Sequence, residues 1–300
     1  VSVRAVGVGE VLWDLLPDGP QLGGAPANFA YHAAALGADA RVVSRVGRDE
    51  PGRGLVRRLE ELGVRADAVE EDPDAPTGTV TVEVGADGQP RYVIHEGVAW
   101  DRLAGEAAGR RAVAAADVVC FGTLARRSEP SRTAIRALLG LARPDALRVA
   151  DLNLRQTYYT PEVIAESLAV ANVLKVNEPE LALLADLFGL PADDRGRVAG
   201  LARRFGLRAV AYTRGDRGSL LFSGGEWSDH PGVPTTVADT VGAGDSFTAA
   251  LALGLLFGWP LDLAHGRAAE VAGYVCSRRG GTPDLPQALR APFLLANNTL

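Results

Sequence analysis

The chain has 300 residues, 47% of them hydrophobic, which is enough to bury an extended α/β core with a minor appendage rather than two equal domains. A net charge of −6 and a pI near 5.4, with arginines scattered and not gathered into runs, exclude a nucleic-acid footprint and favour a small-molecule partner. The absence of a secretory pattern, and of any apolar run reaching the roughly 20 residues that cross a bilayer, predicts a cytoplasmic protein with no membrane partner, in which Cys120 and Cys276 are buried reduced thiols.

Residues 3–8 read as a short apolar strand ending in Gly7-Val8-Gly9. The pair invites a dinucleotide reading, but Leu12 stands where that fingerprint has its third glycine. A hydrophobic run over 10–16 carries Asp14. Then Gly23-Gly24-Ala25-Pro26-Ala27-Asn28 precedes a small-residue helix over 29–36 that Gly37 closes. Asn28 suits either a helix cap or a ligand contact. A strand over 41–46 follows, and Asp49 with Pro51 starts a helix reaching Leu62.

Between residues 77 and 96 the period changes. Alternating residues over 79–84, a turn at Ala86-Asp87-Gly88 and the run Arg91-Tyr92-Val93-Ile94 spell a hairpin without helical partners. Such an insertion does not belong to a helix-covered parallel sheet, so it is predicted to form a small separate sheet, a lid or dimer surface. Strand and helix alternation then resumes, with strands over 117–122, 147–152, 172–176 and 209–213 and helices over 131–141 and after Pro161. Polar residues gather at the strand ends: Asp151, Asn153 and Arg155 after one, Asn177, Glu178 and Glu180 after the next, and Thr213 to Gly218 after the last. Open α/β sheets collect their ligands at such ends. A hairpin over 219–227, helices over 243–257 and about 263–277, and a surface-bound tail complete the pattern. Lys175 is the single lysine and methionine is absent, a bias read here as one of base composition.

The stretch Asp239-Thr240-Val241-Gly242-Ala243-Gly244-Asp245-Ser246-Phe247 concentrates the chemistry. Its glycines allow a sharp turn, and the apolar run after Ser246 makes the turn the start of a buried helix. The unpaired N–H groups of such a start, with the positive end of the helix dipole, suit an anion such as a phosphate. Asp245 can then accept the proton of an attacking hydroxyl; its plainer role is a first-turn carboxylate favoured by the dipole.

Four motifs in this order carry a resemblance over nearly the whole chain. They are the Gly23 to Asn28 block, Asn177-x-x-Glu180, Thr213-x-Gly215-x-x-Gly218 and Asp239-Thr-x-Gly-Ala-Gly-Asp245. With them the chain resembles the PfkB or ribokinase-like carbohydrate kinases, and the fructokinases best among them. The resemblance implies a three-layer α/β/α core with a mostly parallel sheet plus a small β-sheet lid. It implies one kinase domain over 1–300, with lid insertions at about 11–22 and 77–100 and a homodimer through that lid. Asp245 would be the catalytic base and Gly242, Ala243 and Gly244 the anion hole. Asp14, Gly24 and Asn28 map onto sugar-binding positions. Asp151-Leu-Asn153-Leu-Arg155 is similar to a segment of fructokinases and ketodeoxygluconate kinases, so Arg155 would meet a substrate oxygen or a phosphate, with a structural salt bridge as the alternative. Thr213, Gly215, Gly218, Gly244 and Cys276 would hold ATP, the first three having a plain β-turn as their other reading. Asn177 and Glu180 would hold Mg²⁺ through water, against a solvated first-turn Glu, and Asp239 with Val241 would belong to a monovalent cation (K⁺) site.

Fructose leads as acceptor, with 2-keto-3-deoxygluconate, ribose and nucleosides as rivals. Two other classes compete. Gly244-Asp245-Ser246-Phe247 with Asp262-x-x-His265 mimics the motifs of GDSL-type esterases, and a sensor could bind sugar without catalysis. A Walker A site is excluded, because Lys175 lacks the Gly-Lys-Ser/Thr context.

Overall fold

The structure, a computed structural model, describes residues 2–17, 19–84 and 90–299. In chain order the elements are β1 (Arg4–Val8), β2 (Leu12–Leu16), β3 (Gly19–Gly23), α1 (Ala25–Ala35), β4 (Asp39–Gly47), α2 (Glu50–Glu61), β5 (Arg65–Asp72), β6 (Thr79–Val84) and β7 (Pro90–Ile94). Next come α3 (Ala107–Ala115), β8 (Val118–Phe121), α4 (Glu129–Leu139), β9 (Leu147–Asp151), α5 (Pro161–Val170), β10 (Val173–Asn177), α6 (Glu178–Phe188) and α7 (Asp194–Phe205). The chain closes with β11 (Ala209–Thr213), β12 (Ser219–Ser223), β13 (Glu226–His230), α8 (Ala243–Leu256), α9 (Leu261–Cys276) and α10 (Gln287–Asn297).

Among the described residues the main sheet has nine strands in the order β13-β12-β11-β10-β9-β8-β1-β4-β5. From β11 to β5 every neighbour is parallel; only β12 and β13 run antiparallel, at one edge. Alternating apolar side chains of one strand feed two separate cores. In β1, Ala5 belongs to the core that also holds Phe29 of α1, Leu55 of α2, Phe247 of α8 and Val271 of α9, while Val6 and Val8 belong to the core that holds Val113 of α3, Ile135 of α4, Leu181 of α6 and Leu201 of α7. Helices therefore cover both faces, giving three layers. The strand order reverses between β1 and β8, and at such a switch point the two connections diverge and leave a crevice at the carboxyl ends.

The predicted small sheet exists, and it is larger than its hairpin. Its order is β3-β2-β6-β7, so the run over 10–16 supplies a strand and β3, not foreseen, pairs with it. The expected turn at 86–88 lies outside the described residues, as does the Arg91 side chain. Trp100, at the end of the expected 77–100 insertion, is buried and stacked against Arg127, whose guanidinium carbon lies 4.1 Å from its ring centroid.

The expected surface-bound tail is in fact α10. Phe293 is fully buried against Trp259 with centroids 4.9 Å apart, and Asn297 accepts the Val3 N–H at 3.0 Å. Pro286 precedes α10 and supplies no side-chain cap, so the cap signal that marks α2 and α5 is missing.

Candidate active site

Gly242 caps α8 in a left-handed conformation, with φ of 76°. A Cβ there would overlap the carbonyl of Gly281 and sit 2.7 Å from its Cα, so the turn is pressed against the 280–283 segment. No side chain caps the first turn, leaving the helix start as a group of N–H donors. Below it lies the ammonium of Lys175, 2.8 Å from where a Cβ of Gly244 would stand.

The Asp245 side chain does not point into apolar interior. Its Oδ2 accepts a hydrogen bond from Asn28 Nδ2 at 2.9 Å. Burial, and then the charge of Asp151, raises its pKa to about 6, while Asn28, Lys175 and Arg155 pull it down. At neutral pH it is ionised and still basic enough to take a proton. Asp151 is itself buried and satisfied: Lys175 Nζ donates to its Oδ1 at 3.1 Å and Thr248 Oγ1 to its Oδ2 at 2.8 Å. Burial works against the Lys175 ammonium, but Asp151, Glu180 and Asp245 together hold its pKa above the usual value.

Asn28 lies inside α1, its backbone N–H bonded to the Gly24 carbonyl at 3.0 Å, so it is not a cap. Gly24 takes φ of 106°, and a Cβ on it would come 2.5 Å from the Glu10 carbonyl. Asp14 on β2 is raised to about 6 by burial, against the pull of Arg155. Arg155 is exposed and makes no ion pair with a described residue, so the salt-bridge alternative is not what the structure has. Its charge is nevertheless felt by Glu10, Asp14 and Asp245 together. The loop carrying it is strained, with Asn153 at φ 45° and Gln156 at φ 48°. It is also tied to the small sheet, since Gln156 Nε2 donates to the Tyr92 carbonyl at 2.7 Å and Tyr158 Oη donates to Glu96 at 2.8 Å.

Asn177 and Glu180 form a reciprocal capping box on α6. Asn177 Oδ1 accepts the Glu180 N–H at 3.0 Å, Glu180 Oε2 accepts the Asn177 N–H at 2.9 Å, and Glu180 Oε1 accepts the Leu154 N–H at 2.9 Å. The plain reading of Glu180 as a solvated carboxylate fails, because it is buried. Among the described residues no three His, Cys, Asp or Glu side chains are grouped to hold a metal. The Glu180 oxygens and Asn177 Oδ1 already accept backbone N–H groups, which suits contact with an ion through water.

The Thr213 to Gly218 segment is a turn with a structural reason for each end. Thr213 Oγ1 donates to the Val176 carbonyl at 3.3 Å, and a Cβ on Gly218, at φ 80°, would overlap the His230 carbonyl. Arg214 donates to Asp229 at 2.5 Å and Arg217 pairs with Glu178, so both are engaged within the protein. Cys276 ends α9, and its carbonyl accepts the N–H groups of Ala238 and Asp239. Asp239 takes the Val241 N–H on one oxygen at 3.1 Å and the Gly280 N–H on the other at 3.0 Å. These bonds join the predicted catalytic turn to the end of α9.

The esterase arrangement is absent. Ser246 Oγ donates to the Ala243 carbonyl at 2.8 Å, while both His265 nitrogens are taken by Ser219 and Ser228, at 2.6 and 2.9 Å. Two residues of the site escaped sequence reasoning. Lys175 was set aside as a trace of base composition, although a lone lysine in an apolar strand was itself a signal. Glu10, 2% exposed, follows β1 with no motif to mark it.

The chain is similar to known proteins over most of its length. The family model described as pfkB family carbohydrate kinase matches residues 20–288. The fructokinase of Klebsiella pneumoniae is 32% identical over 272 residues, covering 86% of each chain. A solved structure of an uncharacterized sugar kinase from Pyrococcus horikoshii, in complex with ATP, superposes with a TM-score of 0.75 at 27% identity, covering 93% of this chain and 94% of that one. The fructokinase of Xylella fastidiosa with bound ATP has a TM-score of 0.83 at 20% identity, covering 98% and 99%, and speaks for the fold alone.

Proposed function

The chain belongs to the pfkB family of carbohydrate kinases, and from that premise we propose that it transfers the γ-phosphoryl of ATP to a primary hydroxyl of a sugar, with fructose the leading acceptor. The observation that carries this reading is the Asp245 carboxylate, held by Asn28 beside an α8 start that no side chain caps.

Asp245 accepts the proton of the attacking hydroxyl, and its raised pKa makes it a better base than an exposed aspartate. The N–H groups of the turn from Gly242 to Asp245 face the charge that gathers on the phosphoryl in flight, an arrangement already in place before reaction. Lys175, fixed by Asp151, keeps a positive charge under this turn. Asn28 orients Asp245, and Asp14 and Arg155 complete the acceptor end. The nucleotide lies along Thr213, Gly215, Gly218 and Gly244 toward Cys276. When bound, Mg²⁺ neutralises phosphate charge, with Asn177 and Glu180 reaching it only through water. Asp239 and Val241 keep their place beside a monovalent cation such as K⁺. The small sheet serves as lid and as homodimer surface.

Fructose is put first because the Gly23 to Asn28 block resembles fructokinases and because the curated relatives include them. The test is ATP turnover on purified protein with fructose, ribose, 2-keto-3-deoxygluconate, adenosine and fructose phosphates. One acceptor is expected to dominate in kcat/KM; a dominant rival replaces fructose, and silence on all of them with intact sugar binding favours the sensor reading.

A further inference from the structure

The N-terminus of α1 carries the Gly23 to Asn28 block, yet it lacks the usual devices of a helix start. Its N-cap is Gly24, which has no side chain to offer, and its first turn holds no acidic residue. A carboxylate arrives instead from another element. Glu10, two residues past β1, reaches across so that its Oε1 accepts the N–H of Ala25 at 3.3 Å. Its Oε2 is buried and finds no hydrogen-bond partner among the described residues, and the same holds for Asn28 Oδ1 three residues further along the same helix. The Glu10 main chain closes the arrangement from below, because its carbonyl occupies the space a Cβ of Gly24 would need. One residue thus fixes the start of α1 through both its backbone and its side chain.

On the foundation of the kinase reading, we propose that Glu10 is a positioning residue of the acceptor site, a cap supplied from the segment after β1 that sets the placement of Asn28. The chain of contacts is continuous: Glu10 holds Ala25, α1 carries Asn28, and Asn28 holds the base. The charged and titratable groups that face Glu10 come from three other elements. They are Asp245 on α8, Arg155 on the loop after β9, and Cys120 on β8, whose thiol is pushed well up by burial and then by the carboxylates around it. Burial raises Glu10 itself to about 7, its backbone partners and Arg155 work against this, and Asp245 adds to it. Asp245, at about 6, loses its proton first, so its charge raises Glu10, and Asp245 itself titrates beside a Glu10 that is still largely protonated.

Two variants separate the cap from the charge. Glu10→Gln keeps the size and an oxygen for the Ala25 N–H but removes the charge, and its acceptor KM is expected to stay within about twofold of wild type. Glu10→Ala removes the cap as well, and the acceptor KM is expected to rise about tenfold or more while ATP affinity, measured by calorimetry, is kept. Retained ATP binding shows that the variant is folded. An acceptor KM within twofold in Glu10→Ala, or one in Glu10→Gln as high as in Glu10→Ala, overturns the proposal. Sugar affinity measured by calorimetry follows the same relation without turnover. A loss in Glu10→Ala that Glu10→Gln restores supports the cap even if no sugar is phosphorylated, and equal affinities in the two variants refute it while leaving the kinase reading standing.

Discussion

Replacing Asp245 by asparagine separates catalysis from stability, because the same burial that makes the carboxylate a useful base also makes it costly to the fold. Its pKa is raised from 3.8 to about 6, and a shift of roughly 2 units corresponds to at most about 3 kcal/mol, at 1.36 kcal/mol per unit. The sign follows from which form is disfavoured. The folded state holds the proton more tightly than the unfolded chain, so the penalty is full above pH 6 and vanishes below pH 4. Asparagine carries no charge, and its amide oxygen can still accept from Asn28. The variant is therefore expected to be more stable than wild type at pH 8, by about 5 °C in Tm for a chain of this length, and to match it near pH 3.5 to 4. In turnover it is expected to lose a factor of about 10² to 10⁴ in kcat, the usual worth of a general base, while ATP and sugar still bind. Calorimetric melts at the two pH values and steady-state kinetics at pH 8 measure both effects. An asparagine variant that melts below wild type at pH 8, or keeps more than about a tenth of kcat, refutes the reasoning.

Gly242→Ala forces a Cβ into the Gly281 backbone at a residue with φ of 76°, so a loss of about 1–3 kcal/mol in urea unfolding is expected together with a collapse of kcat. Asn28→Ala removes the donor that lowers the Asp245 pKa, and the acid limb of the pH profile should move upward. Lys175→Met leaves Asp151 buried with only the Thr248 hydroxyl beside it, and a loss of about 3–5 kcal/mol is expected from denaturant titration at pH 8. Because the folded pKa of Lys175 is raised, this contribution is fully present below 10.5 and disappears only as pH rises through the folded value.

The alternation of apolar strands and helices was legible where a boundary is marked locally: Asp49 accepts the Gly52 N–H, Thr160 the Val163 N–H, and Gly37 ends the α1 segment. Asp245 was legible for the same reason, since glycine, carboxylate and helix start are neighbours in sequence. What could not be read depends on distance along the chain. Glu10 and Ala25 meet across 15 residues, Asn28 and Asp245 across 217, and Lys175 becomes meaningful only once β9 lies beside β10. The capping box of Asn177 and Glu180 was within reach of local reasoning, because N-x-x-E at a helix start satisfies two backbone donors whatever else it does. Strand β3 was missed because Gly19-Pro20-Gln21-Leu22-Gly23 has none of the usual strand composition and is held by pairing with β2.

The loop between β9 and α5 answers to two masters. Its first residues continue a strand of the main sheet, while Gln156 and Tyr158 hang on the backbone of β7 in the small one. Any rocking of the small sheet against the body must either snap those two attachments or drag the segment around Arg155 with it, and the left-handed residues Asn153 and Gln156 sit where such a drag would be absorbed. On the proposed reading, with Arg155 at the acceptor end and the small sheet as lid, opening the pocket and withdrawing its positive charge become one mechanical event.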